Sequence, residues 1–258
     1  MGENKFKPIA KKLLKGFGLD AYNIPRKDSK TPDFDVKGNN SRYTMELKIK
    51  GDDPEEIKQD SKALSSGEIV SKEIPTGPRN RLYAIIKEGV EQIADYDPKN
   101  KTFHVLWIHS TGRNANLLDM RFYATLFGAQ DFFSIRQEGL ITCYYFNESA
   151  FYSYRPSLDA AILTFFDKAG LCFKLCVNSL SPQLKKFQQS DLYKSLPQGL
   201  HDPGILQTSK KIMIADCDID RKESNKITEY LQEKYKLDHL QTIDMKQISA
   251  MVAVPREK

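Results

Sequence analysis

Apolar and polar positions along the chain sort into helical and extended periods. Phe6, Ile9, Ala10, Leu13, Leu14 and Phe17 recur at helical steps, with lysines on the opposite face. Pro8 is tolerated there only in the first turn, and Gly16 and Gly18 mark the end of the helix. A short extended piece is expected around Ala21 to Ile24. Asp33 to Val36 reads as a strand, Lys37-Gly38-Asn39-Asn40 as a turn and Arg42 to Ile49 as a second strand. In that second strand Met45, Leu47 and Ile49 point one way, and Thr44, Glu46, Lys48 and Lys50 the other.

Residues 51 to 78 are polar and hold three prolines, which suggests an insertion or a lid with a short helix near Glu55 to Leu64. Leu82, Ile85, Ile86, Val90 and Ile93 form the apolar stripe of a helix over about Arg79 to Tyr96, stopped by Asp97-Pro98. Phe103 to His109 reads as a buried strand, Leu117 to Phe127 as a helix and Leu140 to Phe146 as a strand. Beyond Ser149, Ala160 to Phe166 and Leu171 to Val177 form a hairpin around Asp167-Lys168-Ala169-Gly170. Residues 182 to 209 are irregular or weakly helical. Lys211 to Ala215 reads as a strand, Lys222 to Tyr235 as a helix and Leu240 to Ile243 as a last strand. The pattern predicts an α/β protein with a mixed sheet flanked by helices. Its first domain is expected over residues 1–148, followed by a C-terminal α/β extension of unassigned role over residues 149–258.

Composition narrows the class. A chain of 258 residues with 40% hydrophobic content can build a true core. No apolar run approaches the ~20 residues of a membrane helix, and the Lys-rich N-terminus lacks a secretory apolar stretch, so a cytoplasmic location is expected. Cys143, Cys172, Cys176 and Cys217 lack paired zinc-ligand spacing and read as reduced core thiols. Lys5, Lys7, Lys11, Lys12, Lys15, Arg26, Lys27 and Lys30 face only Glu3, Asp20 and Asp28 in the first 30 residues, so this segment carries the whole net charge of +5. Such a segment meets a phosphate backbone or is simply a solvated helix face, and charge alone does not decide.

Chemistry concentrates at Pro32-Asp33 and Glu46-Leu47-Lys48. Twelve residues separate Asp33 from Glu46, enough for a strand, a turn and part of a neighbouring strand. Antiparallel neighbours lie about 5 Å apart, so the two carboxylates can share a hard divalent cation such as Mg²⁺, with Mn²⁺ as a substitute. Lys48 falls on the face of Glu46, about 6.6 Å further along. The metal would polarise a phosphoryl oxygen, and the ammonium would orient the attacking water and offset charge in the transition state.

These residues resemble the signature of the PD-(D/E)XK nuclease superfamily, the restriction-endonuclease-like fold. The resemblance covers about residues 5 to 109, whose expected order of helix, three strands, helix and strand is that of the family core. It implies metal binding by Asp33, Glu46 and the Leu47 carbonyl, assistance to water by Lys48, and DNA as partner and substrate. Gln92-Ile93-Ala94-Asp95-Tyr96 is similar to the Q-x-x-x-Y element of the exonuclease branch, adding Gln92 to the catalytic set. Lys50, Arg81 and Tyr96 are the candidate nucleic-acid contacts. Arg81 lies three turns before Gln92 on the same face. The match to that branch is partial, because an acidic residue is often found in its first helix, whereas here that helix offers lysines and Glu3 precedes it.

Two alternatives remain open. A binding module of the same fold would hold nucleic acid without cutting it. Asp216-Cys217-Asp218-Ile219-Asp220, between a strand and a helix, is similar to the D-x-D loop of toprim domains, or is a helix cap in which Asp220 serves. It is no EF-hand, since Arg221 and Ile227 stand where that loop needs Gly and Glu. The four histidines give no pair at metal-ligand spacing, and no phosphate-binding Gly-rich loop or Ser-His-Asp order appears. Endonuclease and exonuclease action are both compatible with the residues. So is a homo-oligomer, or a partner protein docked through the C-terminal half.

Overall fold

The lysine-rich first segment folds as helix α1 (Glu3–Gly16), with Phe6, Ala10 and Leu14 fully buried along one stripe. Gly18 follows at φ +76°, the left-handed conformation that lets the chain turn out of the helix. The computed structural model describes residues 2–25, 31–75, 78, 80–134, 139–208, 212–242 and 248–253. Arg26, Lys27, Asp28 and Lys30 of the basic segment lie outside these residues, as do Arg79, Lys211 and Ile243 at the ends of expected elements.

After α1 come β1 (Asp20–Asn23), β2 (Phe34–Lys37) and β3 (Arg42–Lys50), then α2 (Pro54–Ser65), β4 (Val70–Pro75), α3 (Asn80–Tyr96) and β5 (Phe103–Ser110). Helix α4 (Ala115–Phe127), β6 (Gln130–Ser134), β7 (Gly139–Tyr145), α5 (Ala150–Ser153), β8 (Ala160–Phe166) and β9 (Leu171–Val177) follow. The remainder is α6 (Leu184–Phe187), α7 (Asp191–Lys194), β10 (Leu200–His201), α8 (Pro203–Thr208), β11 (Ile212–Ala215), α9 (Ser224–Tyr235), β12 (Leu240–Thr242) and β13 (Ile248–Ala253).

The main sheet runs β1-β2-β3-β5-β8-β9-β10 and is mixed: β3, β5 and β8 are mutually parallel, while β2 and β9 run against their neighbours β3 and β8. Helix α1 covers one face, where Phe6 and Leu14 join Met45, Leu47, Trp107, Ile162 and Leu175 in one apolar cluster. Helices α3 and α4 cover the other through Leu82, Ile86, Val90 and Phe122 against Leu106, Ile108, Ala161 and Leu163. A smaller mixed sheet, β11-β7-β6-β12, packs α9 through Ile227 and Leu231. The protein is therefore mixed α/β, with its two larger sheets flanked by helices. No helix among the described residues is long and apolar enough to cross a membrane.

Several sequence expectations shift. The main sheet continues past the boundary expected at residues 148/149, because β5 takes β8 as its second neighbour, from Val105 opposite Ala160 to Ser110 opposite Phe165. Strands β6 and β7, by contrast, belong to the smaller sheet with β11 and β12. The segment 51–78 holds the expected helix, but it also holds β4, which pairs antiparallel with β13 from Val70–Ala253 to Pro75–Ile248. That pairing joins positions 173 to 183 residues apart, and no local pattern encodes it. Cys143 and Cys176 are buried and Cys172 and Cys217 half-buried, all as free thiols.

Asn178, fully buried just after β9, fastens the hairpin to the preceding segment. Its Nδ2 donates to the carbonyls of Phe151 (3.0 Å) and Leu158 (2.8 Å), and its Oδ1 accepts from the Leu180 amide (3.0 Å). Asn178→Ala leaves two buried carbonyls without this donor, so a loss of about 3 kcal/mol is expected in urea unfolding. An unchanged midpoint would show that this fastening contributes nothing.

Candidate active site on strand β3

The register of β2 and β3 sets Phe34 opposite Met45, and one step further sets Asp33 opposite Glu46. The Asp33 amide donates to the Met45 carbonyl (3.1 Å), continuing the ladder beyond the strand. Asp33 Oδ2 accepts from the Leu47 amide at 3.0 Å. The structure thus brings Asp33, Glu46 and Leu47 together, with the Leu47 N–H addressing Asp33.

Glu46 and Lys48 share the α3 face of the sheet, as the strand alternation requires. Glu46 is only 4% exposed. Its Oε1 meets Lys48 Nζ at 3.0 Å, while its Oε2 is buried without any hydrogen-bond partner. Burial pushes the Glu46 carboxyl up to about 7, the Asp33 charge adds to that, and Lys48 offsets it only in part.

Lys48 is fixed from the helix above. Its Nζ donates to Gln92 Oε1 at 2.5 Å and lies 3.7 Å from Glu88. Gln92 therefore lies against Lys48. The helix lies this close because residue 89 is glycine: a Cβ there would fall 2.5 Å from Leu106 Cδ1, 3.5 Å from Lys48 Cε and 3.6 Å from Glu46 Cγ. A glycine inside a helix costs about 1 kcal/mol against alanine, a local signal of close packing that the sequence reading passed over.

The candidate nucleic-acid contacts are spread out. Arg81 and Tyr96 stand at opposite ends of α3, about 22 Å apart at 1.5 Å per residue. Arg81 is exposed, 3.9 Å from Asp53, and Tyr96 is exposed within electrostatic reach of Arg42. Lys50 is half-buried at the end of β3, its carbonyl accepting from the Thr111 amide (2.8 Å). Only Gln92, of the helix residues singled out, touches the Glu46–Lys48 pair.

A second lysine completes the site. Lys7, on α1, places its Nζ 2.5 Å from Asp33 Oδ1 and 2.6 Å from Glu3 Oε1. Burial alone would lower its ammonium pKa, but the bonds to Asp33 and Glu3 outweigh burial and hold it above the ordinary value. Glu3 proves to be the first residue of α1, not a residue preceding it, and its charge also acts on Glu46. Helical spacing placed Lys7 on the polar face of α1 but could not show which strand end that face meets.

Scanned against family models, curated proteins and solved structures, the chain matches none of them. No three His, Cys, Asp or Glu side chains converge as a ready cation cage among the described residues. Two carboxylates, one with an orphaned buried oxygen, nevertheless fit Mg²⁺, a small hard cation that retains several waters.

Asp216 accepts from both Lys234 and Tyr230; burial alone would raise its carboxyl, and these bonds hold it below the usual range instead. Asp220 caps a turn, its Oδ1 accepting from the Lys222 amide (2.8 Å), while Glu223 occupies the N-cap of α9. His104 is bonded to Ser157 and Asp97. His109, held down at about 4 by burial, stacks on Phe6 and bonds Thr164.

Two outcomes follow from this geometry. Gly89→Val should lower stability by about 1–3 kcal/mol and loosen Lys48, since the fully buried Leu106 side chain must shift to admit it; a melting temperature equal to the parent's would show that α3 does not need glycine to approach β5. For Glu46, the folded pKa lies above the unfolded one. Without divalent cation the parent therefore loses stability relative to Glu46→Gln as pH rises from 4.5 to about 7. At pH 8 the variant should be more stable by about 3 kcal/mol, with no difference below pH 4.5. Parallel curves for the two proteins would mean that Glu46 is not destabilised by its burial.

Proposed function

We propose that this protein is a Mg²⁺-dependent nuclease of restriction-endonuclease-like fold that hydrolyses phosphodiester bonds in DNA. The observation that carries the reading is the convergence of Asp33, Glu46, Lys48 and Gln92, with one buried carboxylate oxygen left without a partner. The order of α1, three strands, α3 and β5, with α2 and β4 inserted, supports the fold assignment.

Asp33 and Glu46 would hold the cation, which supplies Lewis acidity at the phosphoryl group. Lys48 orients the attacking water and offsets the negative charge that develops on phosphate. Gln92 positions that ammonium by accepting a hydrogen bond from one of its N–H groups, while Glu46 holds it from the strand. Arg81, Lys50 and the exposed lysines of α1 offer phosphate contacts that add affinity without reading sequence.

The deciding experiment is cleavage of circular duplex, linear duplex and single-stranded DNA, and of RNA, with Mg²⁺, Mn²⁺ or EDTA. Lys48→Ala should cut at least about 100-fold more slowly than the parent while still binding DNA. Equal cutting by the two would sink the assignment. Binding that weakens steeply with salt, with no metal-dependent product, would favour a module that holds nucleic acid without cutting it.

A further inference from the structure

We propose that Lys7 is a built-in competitor for the divalent cation: it occupies Asp33 in the metal-free protein and has Glu3 to retire to when the cation enters. The inference rests on the reading that Asp33 and Glu46 hold that cation. It follows from an inventory of the four carboxylate oxygens. Asp33 Oδ2 is committed to the Leu47 amide, and Glu46 Oε1 to Lys48. Glu46 Oε2 is open. The remaining oxygen, Asp33 Oδ1, is covered by the Lys7 ammonium at 2.5 Å. A cation held by Asp33 and Glu46 would compete with the Lys7 ammonium for Asp33.

The contact is shielded. The Lys7 side chain is 19% exposed and that of Asp33 9%, so solvent and salt screen the pair far less than a surface pair. Burial also makes it costly for an ammonium to leave without a second partner. That partner exists: Glu3, one helical turn back on α1, already accepts from Lys7 at 2.6 Å and is more exposed. Lys7 can release Asp33 and keep a carboxylate without moving its helix.

The probe is Mn²⁺ titrated calorimetrically into the full chain at fixed pH and salt. Lys7→Met should bind Mn²⁺ about tenfold more tightly than the parent, the factor that ~1.4 kcal/mol of lost competition gives. Lys7→Gln, which keeps a neutral donor at the site, should shift the same way and serves if the methionine variant folds poorly. Lys168→Met removes an exposed charge that has no part in the site and should leave the affinity unchanged, separating local competition from a change in net charge. Affinity in both Lys7 variants equal to or below the parent's would overturn the inference while leaving the metal site intact. Absence of Mn²⁺ binding in the parent and both Lys7 variants, or binding indifferent to Asp33→Asn, would overturn the site itself and the inference with it.

Discussion

Strand β5 imposes the condition that the rest of the molecule satisfies. Val105, Leu106, Trp107 and Ile108 are all fully buried, so the strand is apolar on both faces and has no edge it can leave to water. Such a strand needs a helical layer above and below and a hydrogen-bonded neighbour on each side. Helix α1 supplies one layer and α3 with α4 the other. Strand β3 supplies one neighbour and β8 the second, which draws the later part of the chain into the main sheet.

That arrangement explains why charged groups are so confined at the site. Strand β3 sits directly beside β5, between the same two layers, yet carries Glu46 and Lys48 on the face under α3. In that setting an isolated carboxylate is costly, and each charge must find a partner. The partners form two groups, Glu3–Lys7–Asp33 and Glu46–Lys48 with Gln92 and Glu88, which meet where the two carboxylates face each other. One carboxylate oxygen among them is unsatisfied, and the two facing carboxylates repel each other. The cost of this locally unfavourable cluster is borne by the surrounding packed sheet.

Gly89 shows how that packing and the site are coupled. By omitting a side chain it lets α3 descend onto Leu106, and the same descent brings Gln92 onto Lys48. Arg81 and Tyr96 share the helix but not this contact, because a straight helix laid along a strand touches any one point with little more than a turn of its length.

The amino-acid sequence by itself determined the local periods. Alternation along residues 42–50 put Glu46 and Lys48 on one face; helical spacing defined α1 and α3; and the apolar run at 103–109 marked a fully buried strand. The hairpin of β8 and β9 appears at the expected residues, since its turn and its apolar runs are local features. The short, partly polar β6 had no such pattern to reveal it. Tertiary structure alone decided which strand closes the second side of β5, how β4 meets β13, and that Lys7 of α1 stands on Asp33. Each of these joins residues far apart in the chain. Periodicity reports which face a side chain takes within its own element, whereas the partner across that face is selected by packing the whole layer.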